Sequence, residues 1–263
     1  MNIYYRIKKF FINKELYRTA IHEVGHAITI NLFSNYFIRF PLTLDPSIYA
    51  NEINTTGMLG LNRIRINLAA ITPLSLTDKL KCRDYITLIC LSGMCAQTIL
   101  RDKENKTKSN FSLYASNPLR RTDMGGCLDD FELIRNNSSG IFFQDYTEFN
   151  SYLNHSIIFV FNFLNNKFIW NSICKLAIQL CNKPDLTINS DGLDLFFRKI
   201  NFNRNVSRNF ENLLDSRFNS NITINWDNIS NRFTERMIVS GIGIPINPLL
   251  IHNINQNLIR HLN

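Results

Sequence analysis

The feature that most constrains this sequence is the pentapeptide His22-Glu23-Val24-Gly25-His26, which has the form H-E-x-x-H. In an α-helix, residues four apart lie on one face, so both imidazoles can reach a single metal ion. Zinc accepts neutral nitrogen ligands and carboxylate oxygens, and a catalytic zinc keeps one position open for water. Glu23 lies beside the same face and can take a proton from that water as it attacks a carbonyl. The pentapeptide therefore predicts a zinc helix in which Glu23 is the general base.

Chance is the alternative explanation, because two histidines four apart also occur as an ordinary polar pair on a helix. The flanking residues argue against it, because they are small or apolar: Ala20, Ile21, Val24, Ala27, Ile28 and Ile30. Two imidazoles and a carboxylate need polar partners once such a helix is buried. The flanks therefore favour a metal site.

A third ligand must come from another His, Asp, Glu or Cys. His155 precedes an apolar run and is interpreted as marking a helix end or the wet edge of the core. His252 and His261 lie in a polar stretch and are interpreted as solvated. The acidic cluster around Gly125-Gly126 is the better candidate, because the glycine pair predicts a tight turn and then a helix start. Its carboxylates belong to Asp123, Asp129, Asp130 and Glu132. The helix dipole also favours acids at any N-terminus, so an ordinary helix start is the alternative.

Taken in chain order, several segments resemble the M41 peptidase domain, the proteolytic part of the membrane-bound ATP-dependent FtsH proteases. Residues 19–27 are similar to the zinc helix of that family, and Gly57-Met58-Leu59-Gly60 resembles its short strand beside the catalytic cleft. Residues 88–97 resemble the helix that carries its Gly-Arg-x-Ala-Glu signature. Residues 126–131, Gly-Cys-Leu-Asp-Asp-Phe, resemble its Gly-Ala-Ser-Asn-Asp-Leu segment. With later matches to the closing helices, the resemblance spans about residues 15–200.

The resemblance implies a mainly α fold, an M41-like helical zinc peptidase domain with a small β element beside the active site. It implies that Asp130 joins His22 and His26 as the third Zn²⁺ ligand, and that Glu23 is general base and later proton shuttle. The implied substrate is an unfolded protein or peptide, bound by β-addition at an open strand edge near Met58-Leu59. An unrelated zincin, with Glu132 or Asp123 as third ligand, is a second interpretation. Iron, cobalt or manganese could occupy similar ligands.

Departures from the family pattern motivate a rival hypothesis, a catalytically silent M41-like subunit that binds partners in a larger protease assembly. Met94 and Gln97 stand where the family has Arg and Glu, and Cys127 replaces a small neighbour of the ligand. Residues 101–121 form a longer link than usual, rich in Lys, Asn and Ser, which predicts a flexible surface loop. The intact H-E-x-x-H argues against this rival, because a purely structural role does not need Glu23.

An ATPase module is not expected in this chain. The sequence has no G-x-x-x-x-G-K-[ST] loop to cradle nucleotide phosphates, and the zinc helix begins close to Met1. We therefore expect peptide cleavage without ATP. A separate unfoldase partner and a homo- or hetero-oligomer are further hypotheses.

The 263 residues, 45% of them hydrophobic, are enough for one core and an appendage. We expect a basic aromatic lead at 1–13, the peptidase domain at 14–200, and an Asn-rich C-terminal extension of unknown role at 201–263. Helices are predicted at 14–33, 78–100, 129–135, 147–163, 168–181 and 186–200, with a small strand region between 37 and 72.

Composition also bounds the setting of the protein. The six cysteines form no C-x-x-C pair, which is typical of buried thiols in a reducing, cytoplasmic compartment. No apolar run reaches about 18 residues, so no transmembrane segment is expected, although the basic lead suits a peripheral contact with an anionic membrane. The net charge of +8 comes from scattered residues without a basic stripe, so nucleic-acid binding is not expected.

Overall fold

The fold was described from a computed structural model, which covers residues 12–34, 37–38, 41–44, 65–66, 76–106, 130, 134, 146–202, 206, 210 and 214. Its helices are α1 (Lys14–Leu32), α2 (Leu76–Asn105), α3 (Tyr146–Asn165), α4 (Lys167–Cys181) and α5 (Ser190–Lys199). Its strands are β1 (Phe37–Ile38), β2 (Leu42–Thr43), β3 (Arg65–Ile66) and β4 (Thr187–Ile188). This part of the chain is mostly helical with small antiparallel strand pairs, which confirms the expectation of a mainly α protein.

Three of the helices begin after an asparagine that caps them. The Asn13 side chain accepts hydrogen bonds from the backbone N–H groups of Glu15 and Leu16 at 2.9 and 3.2 Å. Asn166 does the same for α4 and Asn189 for α5, each at 2.9 Å. An amide oxygen at this position satisfies helix N–H groups that have no partner within the helix. Asparagine side chains thus mark the starts of these three helices.

The helices pack around α1 and α2. Helix α1 contacts α2 and α4, and α2 also contacts α3. The apolar face of α1 is completely buried at Ala20, Ile21, Val24 and Ile28. Burying such side chains contributes about 1.5–3 kcal/mol each for the larger ones. The flanks of H-E-x-x-H are therefore core residues, and they fix the helix that carries the motif.

Helix α2 is longer than predicted, because it continues through residues 101–105, where the sequence suggested the start of a flexible loop. The last turn makes contacts that a local pattern does not reveal. Glu104 pairs with Nη2 of Arg18 at 3.4 Å, and the Lys103 ammonium lies 5.4 Å from the centre of the Trp170 ring. These tertiary contacts hold α2 helical to Asn105. The rest of the predicted loop, 107–121, lies outside the described residues.

The prediction of helix from residue 186 was wrong for its first residues, because Thr187 and Ile188 form β4. They pair antiparallel with β2, in the register Leu42 with Ile188 and Thr43 with Thr187. The Thr187 hydroxyl donates to the Thr43 hydroxyl at 2.7 Å. Because the partner strand is far away in sequence, no local signal distinguished this strand from a helix start. Strands β1 and β3 form a second antiparallel pair.

The remaining expectations divide between described and undescribed residues. Cys82, Cys90, Cys95 and Cys174 are buried free thiols and Cys181 is partly buried, as expected for a protein without disulfides in its described part. No helix among these residues is both long and apolar enough to cross a bilayer. The strand expected at 57–60, the lead at 1–11 and Cys127 lie outside the described residues. Beyond residue 201, the four described positions are buried in the same core: Phe202, Val206, Phe210 and Leu214.

Candidate metal centre

The two histidines of the motif lie side by side in the interior. His22 is 5% exposed and His26 is 2% exposed. Their four-residue spacing on α1 brings the two Nε2 atoms to 3.0 Å from each other, with the rings edge to face. Glu23, between them, is only partly buried. The helix therefore presents two imidazole nitrogens at one point, with the carboxylate on the more accessible side.

Asp130 completes this group. Its side chain is 2% exposed, and Oδ2 lies 3.3 Å from Nε2 of His22 and 3.5 Å from Nε2 of His26. One ligand atom from each residue fits within 4.8 Å of the others, which is the arrangement of a three-ligand metal site. The structure thus brings together the three residues that the resemblance implied. Asp123, Asp129 and Glu132, the other acids of the cluster, lie outside the described residues.

The orientation of His26 is fixed by the main chain of α2. Its Nδ1 donates to the carbonyl oxygen of Ile89 at 2.7 Å, because that oxygen can only accept. In the neutral ring this leaves the lone pair on Nε2, which faces His22 and Asp130. Sequence analysis missed Ile89, because every residue has a carbonyl and its side chain gave no signal. Nδ1 of His22, in contrast, is buried and has no hydrogen-bond partner among the residues that the structure describes.

The charges of the group shift its pKa values in opposite directions. Burial lowers the pKa of His26, but Asp130, with smaller contributions from Glu23 and the Ile89 carbonyl, outweighs it and raises that pKa to about 9. Burial raises the pKa of Asp130, but the imidazoles outweigh it and hold this pKa below its usual value. For Glu23, burial raises the pKa and outweighs the lowering effect of His22 and His26. Without metal, the site therefore holds an imidazolium against a carboxylate.

The residues fit a divalent cation. Both carboxylate oxygens of Asp130 are buried, and within the described part of the chain neither has a hydrogen bond with good geometry, although Oδ2 is within ion-pair distance of the imidazoles. A buried carboxylate without such bonds is costly unless a cation satisfies it. Two imidazoles and one carboxylate are ligands that zinc accepts, and three protein ligands leave a position open.

Zinc binding at pH 7 is expected to release about one proton from the site, because a pKa of about 9 keeps His26 protonated until the metal displaces its proton. An ordinary histidine pKa of about 6.5 would give about one quarter of a proton. Above pH 9 the release should vanish, and the affinity should stop rising with pH. Isothermal titration calorimetry in buffers of different ionisation enthalpy measures this number.

His155 provides the control for that titration. It lies inside α3, where its Nδ1 donates to the Ser151 carbonyl at 2.8 Å, so of its two interpretations the helix end was wrong. Its partial burial agrees with the other, the edge of the core. His155→Gln should leave the proton count unchanged, because this ring is not part of the metal group. A wild-type count near one quarter would contradict the coupling between His26 and Asp130.

The other histidines considered as ligands, His252 and His261, lie outside the described residues. Within the described part, the group of His22, His26 and Asp130 is the one arrangement of three ligating side chains. Comparison with known proteins gave no match, whether to a family model, to a curated protein or to a solved structure.

Proposed function

We propose that this protein is a zinc-dependent metallopeptidase of the M41-like type, which hydrolyses peptide bonds in unfolded proteins or peptides. The observation that carries the proposal is the buried group of His22, His26 and Asp130, with Glu23 beside it on the accessible side. Among the described residues, this is the ligand number and type of a catalytic zinc site rather than a closed structural one, which takes four protein ligands.

The ligand set suits this chemistry. His22, His26 and Asp130 would hold the ion, and a bound zinc supplies a Lewis acid that lowers the pKa of water and polarises a carbonyl. The two imidazoles are neutral ligands and Asp130 brings one negative charge, so a divalent ion keeps net positive charge. The Ile89 carbonyl keeps Nε2 of His26 directed at the site. These residues are buried, so competing bulk water is largely excluded from their side of the site.

Glu23 moves the proton. Its carboxylate takes a proton from the attacking water as the water oxygen bonds to the carbonyl carbon. It then gives that proton to the amine nitrogen as the C–N bond breaks. In the metal-free chain burial raises the pKa of this carboxyl, and a carboxylate whose pKa lies nearer the working pH can both accept the proton and return it. Glu23 is also less buried than His22 and His26, which agrees with a substrate that reaches the site beside it.

A catalytically silent M41-like subunit is the second candidate. Met94 is 3% exposed in the core, at the position where the family to which we liken the chain has an arginine. A charged contact that helps the active helix is therefore absent from this position. This protein would keep the fold and bind partners in a larger protease assembly.

Zinc content and cleavage of unfolded casein, measured on the same preparation, separate the candidates. About one zinc per chain, with cleavage lost to a chelator and restored by zinc, supports the peptidase. Bound zinc without cleavage, together with stable incorporation into a protease ring, favours the silent subunit. A well-folded protein that binds no zinc would contradict the peptidase and also a silent subunit that retains zinc.

A further inference from the structure

The main chain of α2 lies directly on the two imidazoles at Gly93. A Cβ atom built on this residue would collide with Nε2 of His26 and would lie 2.6 Å from Nε2 and 2.7 Å from Cε1 of His22. Real Cβ contacts essentially never fall below 3.0 Å. The atoms it would meet belong to rigid, buried rings, so they cannot simply turn away. Any other amino acid at 93 therefore places a Cβ atom too close to the metal-facing nitrogens for the two rings to stay where they are.

The two imidazoles are held in different ways, and both depend on the same turn of α2. The Ile89 carbonyl accepts a hydrogen bond from His26, whereas Nδ1 of His22 has no such partner among the described residues. Gly93 follows Ile89 by four residues and so lies on the same face of the helix. This turn of α2 therefore provides the Ile89 carbonyl, which binds the His26 ring. At Gly93 it provides backbone without a side chain, against which both rings lie.

Gly93 has a different role from the nearby Gly25. A Cβ on Gly25 would lie 2.6 Å from the carbonyl oxygen of Ser92 and 3.0 Å from Cβ of Ala96. Gly25 therefore allows the two helices to approach closely, since it clears the backbone of α2. The nearest atoms that Gly93 clears all belong to His22 and His26.

We propose that Gly93 is the positioning residue of the metal centre, whose missing side chain lets the two imidazoles converge on one ion. The proposal rests on the proposed function, since it concerns the same site. Helix α2 would thus position the ligands that α1 carries. A substitution at residue 93 should therefore weaken metal binding, although this residue contacts neither the metal nor the substrate.

The test is the metal affinity of Gly93→Ala, measured by competition with a chromogenic chelator, and the absorption spectrum of its cobalt(II) complex. We expect zinc binding about 100-fold weaker than wild type, at the upper end of losses from outer contacts of a metal site. The tetrahedral cobalt bands should weaken or move. Ser92→Ala is the matched control, because among the residues that the structure describes its hydroxyl bonds to Thr29 and the Leu88 carbonyl and not to either imidazole. It should keep the wild-type zinc affinity and cobalt spectrum.

The outcomes separate this inference from the proposed function. If wild type binds no zinc, both fail. If wild type binds zinc and Gly93→Ala binds it equally well with the same cobalt spectrum, only the role of Gly93 fails. Should Gly93→Ala not fold, the triple variant Gly93→Ala/His22→Ala/His26→Ala decides, because removing both imidazoles takes away the atoms that the methyl group would meet. Cooperative unfolding of the triple variant supports the inference, and an unfolded triple variant overturns it.

Discussion

Glu23→Gln is expected to lower the rate of casein hydrolysis by about 10²–10⁴-fold, the usual contribution of a positioned general acid–base group. The glutamine side chain has nearly the same shape but cannot take a proton from water or return it to the leaving amine. Zinc should stay bound at the wild-type stoichiometry, because His22, His26 and Asp130 are unchanged. The measurement is initial rate with a fluorescent casein, alongside zinc content by elemental analysis.

Glu15→Gln is the control for this substitution. Glu15 lies on the same helix, but its carboxylate is exposed and pairs with Arg18 at 2.7 Å, away from the metal group. An exposed ion pair contributes about 0–1 kcal/mol, so neither folding nor activity should change measurably. If Glu23→Gln cut casein as fast as Glu15→Gln, the proposed role of Glu23 would be wrong.

Asp130→Asn is expected to have the largest effect on metal binding, weakening zinc affinity by more than about 100-fold, which is already the upper range for losing an outer-sphere partner. The substitution keeps the shape of the side chain and removes the only negative charge among the three ligands. Cleavage should fall with the zinc content. In the metal-free chain the pKa of His26 should fall as well, because the carboxylate is its main raising influence. Zinc titration and histidine NMR measure the two effects.

Asp84→Asn tests whether any buried aspartate would give the same result. Asp84 is 1% exposed and accepts a 2.6 Å hydrogen bond from the hydroxyl of Tyr152. Weakening this bond should cost about 1 kcal/mol of the free energy of unfolding, without loss of zinc. Wild-type zinc affinity in Asp130→Asn would show that a different residue is the third ligand.

The helices could be predicted where their signals are local. The predicted helix at 168–181 lies within one residue of the observed bounds of α4, and the H-E-x-x-H helix was placed equally well. Strand β4 and the last turn of α2 could not be predicted, because distant partners decide them. Thr187 extends only because β2 lies beside it, and residues 101–105 stay helical because Arg18 and Trp170 meet their side chains.

The residues of the metal site also divide into those that a local sequence pattern predicts and those that it does not. His22 and His26 could be predicted from sequence, because four-residue spacing on a helix fixes their relation. Asp130 could not be chosen by spacing, since its cluster offers several carboxylates, and only the resemblance selected it. The Ile89 carbonyl and Gly93 carry no signal of their own, because their roles arise from the way α2 packs on α1.

The pairing of β2 with β4 determines where the chain can be shortened. A fragment that ends after α4 would keep the motif helix and α2, but it would lose the strand that covers Leu42 and Thr43. These residues are 1% and 2% exposed in the structure, and the cut would leave their backbone as an open edge. Unpaired edges recruit strands from other molecules and promote aggregation. Residues 187–188 thus act as a protective cover for a strand some 144 positions earlier in the chain.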